Sequence, residues 1–244
     1  MAFYKSISDH YDNIFPLNPM PVEFVRKSFL NISGLEVLDV GCGTGSMCMA
    51  LAPHFKKVTG IEPDDAMLKL AVEKAGPDHG NLSFHPFGML DLEKQFHPHS
   101  FDAILCFGNT LVHLGSAEEI LDFLAQAKKV LKPGGKLLMQ IINYDRIFRE
   151  NIKALPTIEN ESIKFVRNYH DPSNEKLLDF ETILTVKSSG EEIRNVIQLF
   201  AVQKDALETM LFDAGFSKLH FYGNFKRDPF QADSIPLIIE ATIS

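Results

Sequence analysis

The sequence predicts an α/β fold: a doubly wound, mostly parallel seven-stranded sheet that carries a small inserted antiparallel β-sheet. Three observations predict it. Short, near-continuous apolar runs alternate with helical stripes, as suits strands buried on both faces of a parallel sheet. The first run ends in a glycine cluster, Gly41, Gly43 and Gly45. After Tyr144 the hydrophobic period drops to 2, the mark of half-exposed antiparallel strands.

In order, Phe3, Tyr4, Ile7, Tyr11 and Phe15 have helical spacing before the first strand. Strands are predicted at Leu35 to Val40, Val58 to Ile61, Leu82 to Phe87, Phe101 to Phe107 and Gly135 to Ile142. Met67, Leu70 and Ala71 share one helix face after Pro63. Ile120, Leu124, Ala127 and Leu131 share another, behind a capping box of Ser116 and Glu119. Lys132-Pro133-Gly134-Gly135 reads as stop and turn. Such strand–helix alternation with short connections implies right-handed βαβ units. From Ile163 to Val202 three antiparallel strands are expected, with turns at Asp171-Pro172-Ser173-Asn174 and Ser188-Ser189-Gly190. Leu207, Met210, Leu211 and Ala214 form a helix stripe closed by Gly215, and Lys218 to Tyr222 and Leu237 to Thr242 complete the sheet. The inserted sheet is expected to cover the carboxyl edge of the parallel strands, where open α/β sheets bind ligands. The expected division is a helical lid at 1–33, an α/β core at 34–152 and 201–244, and the inserted cap at 153–200.

Composition narrows the function. The 244 residues are 45% hydrophobic and 23% charged, which is ordinary for a globular chain and excludes low-complexity readings. A net charge of −8 without any Lys/Arg run disfavours nucleic acid as a partner. Cys42, Cys48 and Cys106 form no Cys-x-x-Cys pair and fit reduced thiols in a cytoplasm. The N-terminus is too polar for a signal peptide, and no apolar stretch reaches the roughly 18 residues of a membrane span. The histidines show no metal-ligand spacing, so no metal is expected; His97-Pro98-His99 reads as a surface loop. Trp is absent, whereas Phe occurs 20 times.

The sharpest motif is Val37-Leu38-Asp39-Val40-Gly41-Cys42-Gly43-Thr44-Gly45, a strand running through alternate glycines into a helix. Glycines let the backbone approach a ligand, and a helix N-terminus favours negative charge. Glu62 ends the second strand, where an acid can accept bonds from both hydroxyls of a ribose. A dinucleotide fingerprint needs Gly-x-Gly-x-x-Gly; here the third glycine comes one residue early. Together LDVGCGTG, VTGIEPDDAML, FDAILCFGN and VLKPGG resemble the class I S-adenosylmethionine-dependent methyltransferases, whose sheet is Rossmann-like. The resemblance implies S-adenosyl-L-methionine as cofactor and S-adenosyl-L-homocysteine as product. It implies that Gly41 and Gly43 approach the methionine portion, that Asp39 supports their loop and that Glu62 holds the ribose. Met89 and Leu90 would flank the adenine, and the Phe107 carbonyl would meet the cofactor's amino group. Cys42 and Met67 join the cofactor-binding set. Many relatives carry an acid where this chain has Gly88, so the adenine amino group falls to backbone or to Asp91. A Tyr-Asp-x-x-Phe segment serves relatives as a lid, which would let Tyr11 bond the cofactor carboxylate.

On the substrate side, Cys106 to Leu114 (CFGNTLVHL) is similar to a stretch of glycine and sarcosine N-methyltransferases, as are Asn143-Tyr144-Asp145 and Tyr222 to Lys226. The resemblance implies Asn109 as an acceptor near the substrate nucleophile and His113 beside the cofactor, the two candidate catalytic residues. His113 either takes a proton or serves only in packing. Thr110, Ile142, Tyr144 and Arg167 are the candidate substrate contacts. Ile142 stands where the glycine enzymes carry an Arg that clamps a carboxylate, which an apolar side chain cannot do. Arg167 or Arg146 could replace that clamp, although Arg167 also reads as a solvent-facing strand residue. The expected activity is methyl transfer to a small molecule at an amine nitrogen, with orientation supplying roughly 7–11 kcal/mol of the barrier reduction. Small-molecule O-methylation, a non-catalytic S-adenosylmethionine-binding module and an NAD-dependent oxidoreductase are the rival readings. Neither nucleic acid nor membrane is expected as partner, and a homodimer stays open.

Overall fold

The computed structural model describes residues 2–77, 80–170 and 177–243. His79 and the turn expected at 171–174 lie outside these residues. The chain opens with α1 (Ala2–Ile7), α2 (Tyr11–Ile14) and α3 (Pro19–Lys27). There follow β1 (Glu36–Val40), α4 (Ser46–Leu51), β2 (Lys57–Ile61), α5 (Asp65–Ala75), β3 (Leu82–His85), α6 (Leu92–Gln95), β4 (Phe101–Cys106) and α7 (Ala117–Val130). After these come β5 (Leu131–Ile142), α8 (Tyr144–Arg149), β6 (Ala154–Glu159), β7 (Ile163–His170), β8 (Leu177–Val186) and β9 (Glu191–Phe200). The chain closes with α9 (Lys204–Asp213), β10 (Phe216–Tyr222) and β11 (Pro236–Ile243).

One sheet has seven strands in the order β10-β11-β5-β4-β1-β2-β3. Its strands pair in parallel except at β11, which runs antiparallel to both β5 and β10. Chain order reverses between β1 and β4, so the loops leaving these strands open a crevice at the carboxyl edge. Local chemistry fixes the flanking helices. Asp64 caps α5 by accepting from the Ala66 and Met67 amides. Ser116 caps α7 through the Glu119 amide, while the Glu119 carboxylate reaches back to the Gly115 amide, one residue before the expected box. Leu131 is not on the helix face: α7 stops at Val130, and Leu131 pairs with Phe101 as the start of β5.

The second sheet has four strands, β6-β7-β8-β9, all antiparallel, rather than the three expected. The additional strand is β6, an edge strand with Pro156 in it and a register shift between Leu155 and Ile158. An edge is where a strand tolerates proline. Three apolar clusters hold the molecule together. Two flank the seven-stranded sheet. The third joins Phe3, Ile7 and Ile14 of the N-terminal helices to Ile163, Phe165 and Leu184 of the second sheet. Among the described residues no helix is long and apolar enough to cross a membrane.

Candidate active site

β1 delivers Asp39 to the crevice, and the chain then turns through Gly41, Gly43 and Gly45, all at positive φ, into α4. The Gly41 and Cys42 amides both donate to the Ile61 carbonyl, at 2.9 and 3.0 Å, which ties the loop to the end of β2. A Cβ on Gly41 would stand 2.5 Å from Thr110 Cγ2, and one on Gly45 2.6 Å from the Phe84 ring. Glycine there serves both the left-handed turn and the close approach of β3 and of the segment after β4.

This loop walls a cavity of about 420 Å³. All ten residues expected to hold the cofactor line it: Tyr11, Asp39, Gly41, Cys42, Gly43, Glu62, Met67, Met89, Leu90 and Phe107. Glu62 is fixed by two backbone donors, Gly43 N–H to Oε2 and Asp64 N–H to Oε1, each 3.0 Å. Burial raises its pKa, against the pull of those two bonds. Asp39 is also buried, and its acceptor Oδ2 meets the Cys48 thiol at 3.2 Å. Burial pushes its carboxyl up to about 6. The cavity thus offers two acids at one side and apolar Met89, Leu90 and Phe87 at the other. That division fits S-adenosylmethionine, with acceptors for hydroxyls and cationic groups and an apolar slot for a base. Asp91 lines the same slot, but its Oδ2 accepts the Gly88 amide at 3.1 Å. The Phe107 carbonyl already accepts the Thr110 hydroxyl at 2.6 Å and the Thr110 amide at 3.4 Å, so a ligand amino group would share it with that loop.

The N-terminal segment closes this cavity. Tyr11 packs over Gly43, and Asp12 is latched to the core. Lys74 Nζ donates to Asp12 Oδ2 at 2.7 Å and to the Thr44 and Ser46 hydroxyls at 2.9 Å each, while the Thr44 hydroxyl donates to Asp12 Oδ1 at 2.6 Å. The Tyr4 hydroxyl lies 2.8 Å from His113 Nε2. Burial pushes the His113 imidazole down to about 4, so it is uncharged at neutral pH. Tyr4 and Lys74 were not foreseen; each finds its partner through the fold, and no local spacing signals the contact.

A second cavity of about 300 Å³ adjoins the first, sharing Tyr4, Tyr11, Phe15, Gly108 and His113 with it. The candidate substrate residues divide here. Ile142 and Arg167 line this second cavity. Thr110 lines only the first, because its side chain is packed on Gly41 and its hydroxyl is bonded within the loop. Tyr144 lines neither: it is core, with its hydroxyl accepting from Asn109 Nδ2 at 3.0 Å. Asn109 itself lines the cavity but spends its side chain on bracing, since Oδ1 also accepts the Ile142 amide at 2.9 Å. Arg146 pairs with Glu150 at 3.0 Å and lines neither cavity. Among the described residues no group of three or more His, Cys, Asp or Glu could hold a metal ion.

Comparison with known proteins agrees with this geometry. Residues 37–135 match a family described as Methyltransferase domain. Over 235 residues the chain is 26% identical to a methyltransferase of Geobacillus sp. (strain WCH70), covering 91% of this chain and 92% of the other. It is 27% identical over 213 residues to the glycine/sarcosine N-methyltransferase of Aphanothece halophytica, covering 86% and 77%. A 127-residue stretch is 32% identical to the ubiquinone biosynthesis O-methyltransferase of Idiomarina loihiensis, covering 52% of this chain and 50% of that one. Among solved structures, an S-adenosylmethionine-dependent methyltransferase from Clostridium acetobutylicum shares the fold with TM-score 0.84 at 14% identity, covering 99% of each chain. An amino pentose methyltransferase of Micromonospora echinaspora, solved with S-adenosylmethionine bound, gives TM-score 0.68 at 20% identity over 91% of this chain and 88% of that one.

Proposed function

We propose an amine nitrogen as the methyl acceptor of this chain, which is an S-adenosylmethionine-dependent methyltransferase acting on small molecules. One observation carries the reading: the second cavity has no carboxylate in its wall, and its single imidazole is a weak base. A hydroxyl acceptor needs its proton removed as it attacks, and nothing lining this cavity titrates near neutrality to take it. An amine must first lose its ammonium proton, to water or to His113, and the neutral amine then presents its lone pair with no general base needed during the transfer.

When bound, S-adenosylmethionine supplies a methyl group made electrophilic by its sulfonium. The chain's own residues bind and orient. Glu62 and Asp39 hold the cofactor's polar groups, and the apolar slot at Met89 and Leu90 takes its base. Tyr4 fixes the His113 ring at the junction of the two cavities, and Tyr11 and Phe15 screen that junction from water. Orientation and water exclusion are the catalytic resources such a site has, worth roughly 7–11 kcal/mol when the reactants are held in line. The glycine/sarcosine N-methyltransferase relative supports nitrogen, and it is matched over more of its length than the ubiquinone O-methyltransferase. The net charge of −8 supports a small molecule over nucleic acid.

The test is S-adenosylhomocysteine release across small amines paired with their hydroxyl analogues. Turnover with amines and not with the matched alcohols is expected. Turnover confined to alcohols, phenols or carboxylic acids overturns the nitrogen assignment.

A further inference from the structure

The second sheet places a cation where the cavity wall has no counter-charge. Arg167 stands on β7, on the face that carries Phe165 and Tyr169, and lines the second cavity. It is not the solvent-facing residue that strand position alone would allow. Its Nη2 donates to the Pro156 carbonyl at 2.7 Å, but its Nε–H is buried without a partner. Directly across the ladder, Thr182 on β8 has a buried hydroxyl that is also unpartnered. Arg26, Arg146, Arg149, Arg194 and Arg227 each pair with a glutamate. Arg167, the remaining arginine, forms no ion pair among the described residues.

A guanidinium drawn out of water without a neutralising partner is unfavourable, and an empty donor adds to the penalty. Arrangements of this kind persist where a ligand supplies the missing acceptor. The planar fork of arginine matches a carboxylate, which can accept two parallel N–H bonds. Much of the remaining wall is apolar, with Ile142, Phe165, Phe180 and Leu199, and the polar Asn109 and Gln140 in it are bonded within the fold.

We infer that Arg167 binds a carboxylate of the methyl acceptor, so that the substrate class is a small amino acid with its amine toward His113 and its acid against the second sheet. This rests on the amine reading above. The guanidinium comes from β7 of the second sheet, whereas Ile142 ends β5 of the first, so the acid is held by the second sheet and not by the strand that ends at Ile142. Arg167 is a specificity-determining residue in this assignment and takes no part in bond making.

The experiment loads the protein with S-adenosylhomocysteine and titrates it calorimetrically with ω-amino acids from glycine to 5-aminovalerate, with their amides and with the matched alkylamines. At one or two chain lengths the acid is expected to bind at least tenfold tighter than its amide. Arg167→Gln brings that ratio close to one and leaves S-adenosylhomocysteine affinity unchanged; Arg167→Lys, which keeps the charge and serves if the Gln variant does not fold, retains part of the preference. Equal binding of acid and amide by the unaltered protein, or a preference that survives in Arg167→Gln, overturns the proposal. The same ligands then separate it from the reading it rests on. Arg167-dependent acid binding without methyl transfer to any amine leaves the carboxylate site standing and removes the amine reading. Transfer to alkylamines with the same kcat/KM as to amino acids does the reverse.

Discussion

Asp39 reaches the cofactor cavity with only a thiol to offset its burial, the Cys48 Sγ–H at 3.2 Å. A thiol is a weak donor, which is why the carboxyl titrates near 6 in the folded chain against about 3.9 in a free one. Between those values the folded state holds more protons than the unfolded state, so this residue's contribution to stability falls as pH rises from about 4 to about 6. His113 works the other way. Its pKa is about 4 when folded and about 6.5 when unfolded, so its contribution rises over the same interval. Asp39→Asn removes the first effect and leaves the second. The melting temperature of the variant minus that of the parent should therefore climb from pH 4 to pH 6 and level off above; a flat difference would mean that the Asp39 carboxyl is not perturbed. In the lining of the first cavity, Gly41, Gly43 and Glu62 were legible because local rules place them: alternate glycines after a strand, and an acid at the end of the next; Tyr11, Met89, Leu90 and Phe107 were expected there only through the resemblance. Tyr144 and Thr110 were not legible, because whether a side chain near a loop faces a cavity or the core depends on packing between distant segments.

At the scale of elements, the N-terminal segment is joined to α5 beside the first cavity. Lys74 binds Asp12, Thr44 and Ser46 together, so one ammonium ties the lid to the glycine loop and to α4. The pair is partly exposed, with side-chain exposures of 31% and 47%, and such pairs contribute up to about 1 kcal/mol. Lys74→Met should weaken S-adenosylhomocysteine binding by roughly two- to fivefold through faster release, and should abolish most of the salt dependence of that release. Unchanged release kinetics would show that the latch does not gate the cavity. β6 escaped the sequence reading for a physical reason. Its residues ALPTIE neither alternate cleanly nor lack proline, and as an edge strand it needs neither property. The inner strands β1, β2 and β4, largely buried, had no such freedom and were legible; β3, a half-buried edge strand, ends at His85, short of the expected Phe87, and β5 starts at Leu131 and runs through the Lys132–Gly135 segment expected as a turn.

Over the whole molecule, the two sheets are separate in hydrogen bonding, and the N-terminal helices contribute to joining them. The cluster of Phe3, Ile7 and Ile14 with Ile163, Phe165 and Leu184 connects lid to cap. Phe165, 1% exposed, is central to it and also lines the second cavity. Phe165→Ala should cost about 3–5 kcal/mol, a fall in Tm on the order of 10 °C for a chain of this size. Limited proteolysis should then cut the N-terminal segment before the α/β core; simultaneous loss of protection everywhere would argue against a separable lid–cap unit. That a small antiparallel sheet follows Tyr144 was legible from the change of hydrophobic period; its residues line the second cavity and not the first. That the lid is packed on that sheet was not, since nothing near Phe3 announces a partner near Phe165. The same cluster sets an order of assembly. At roughly 5–20 residues per second of synthesis, Ile14 emerges on the order of ten seconds before Ile163, and until then the N-terminal helices lack the second-sheet half of this cluster. The strands from β1 to β5 have been synthesised by that time, so the second sheet is the last apolar partner that the N-terminal helices gain.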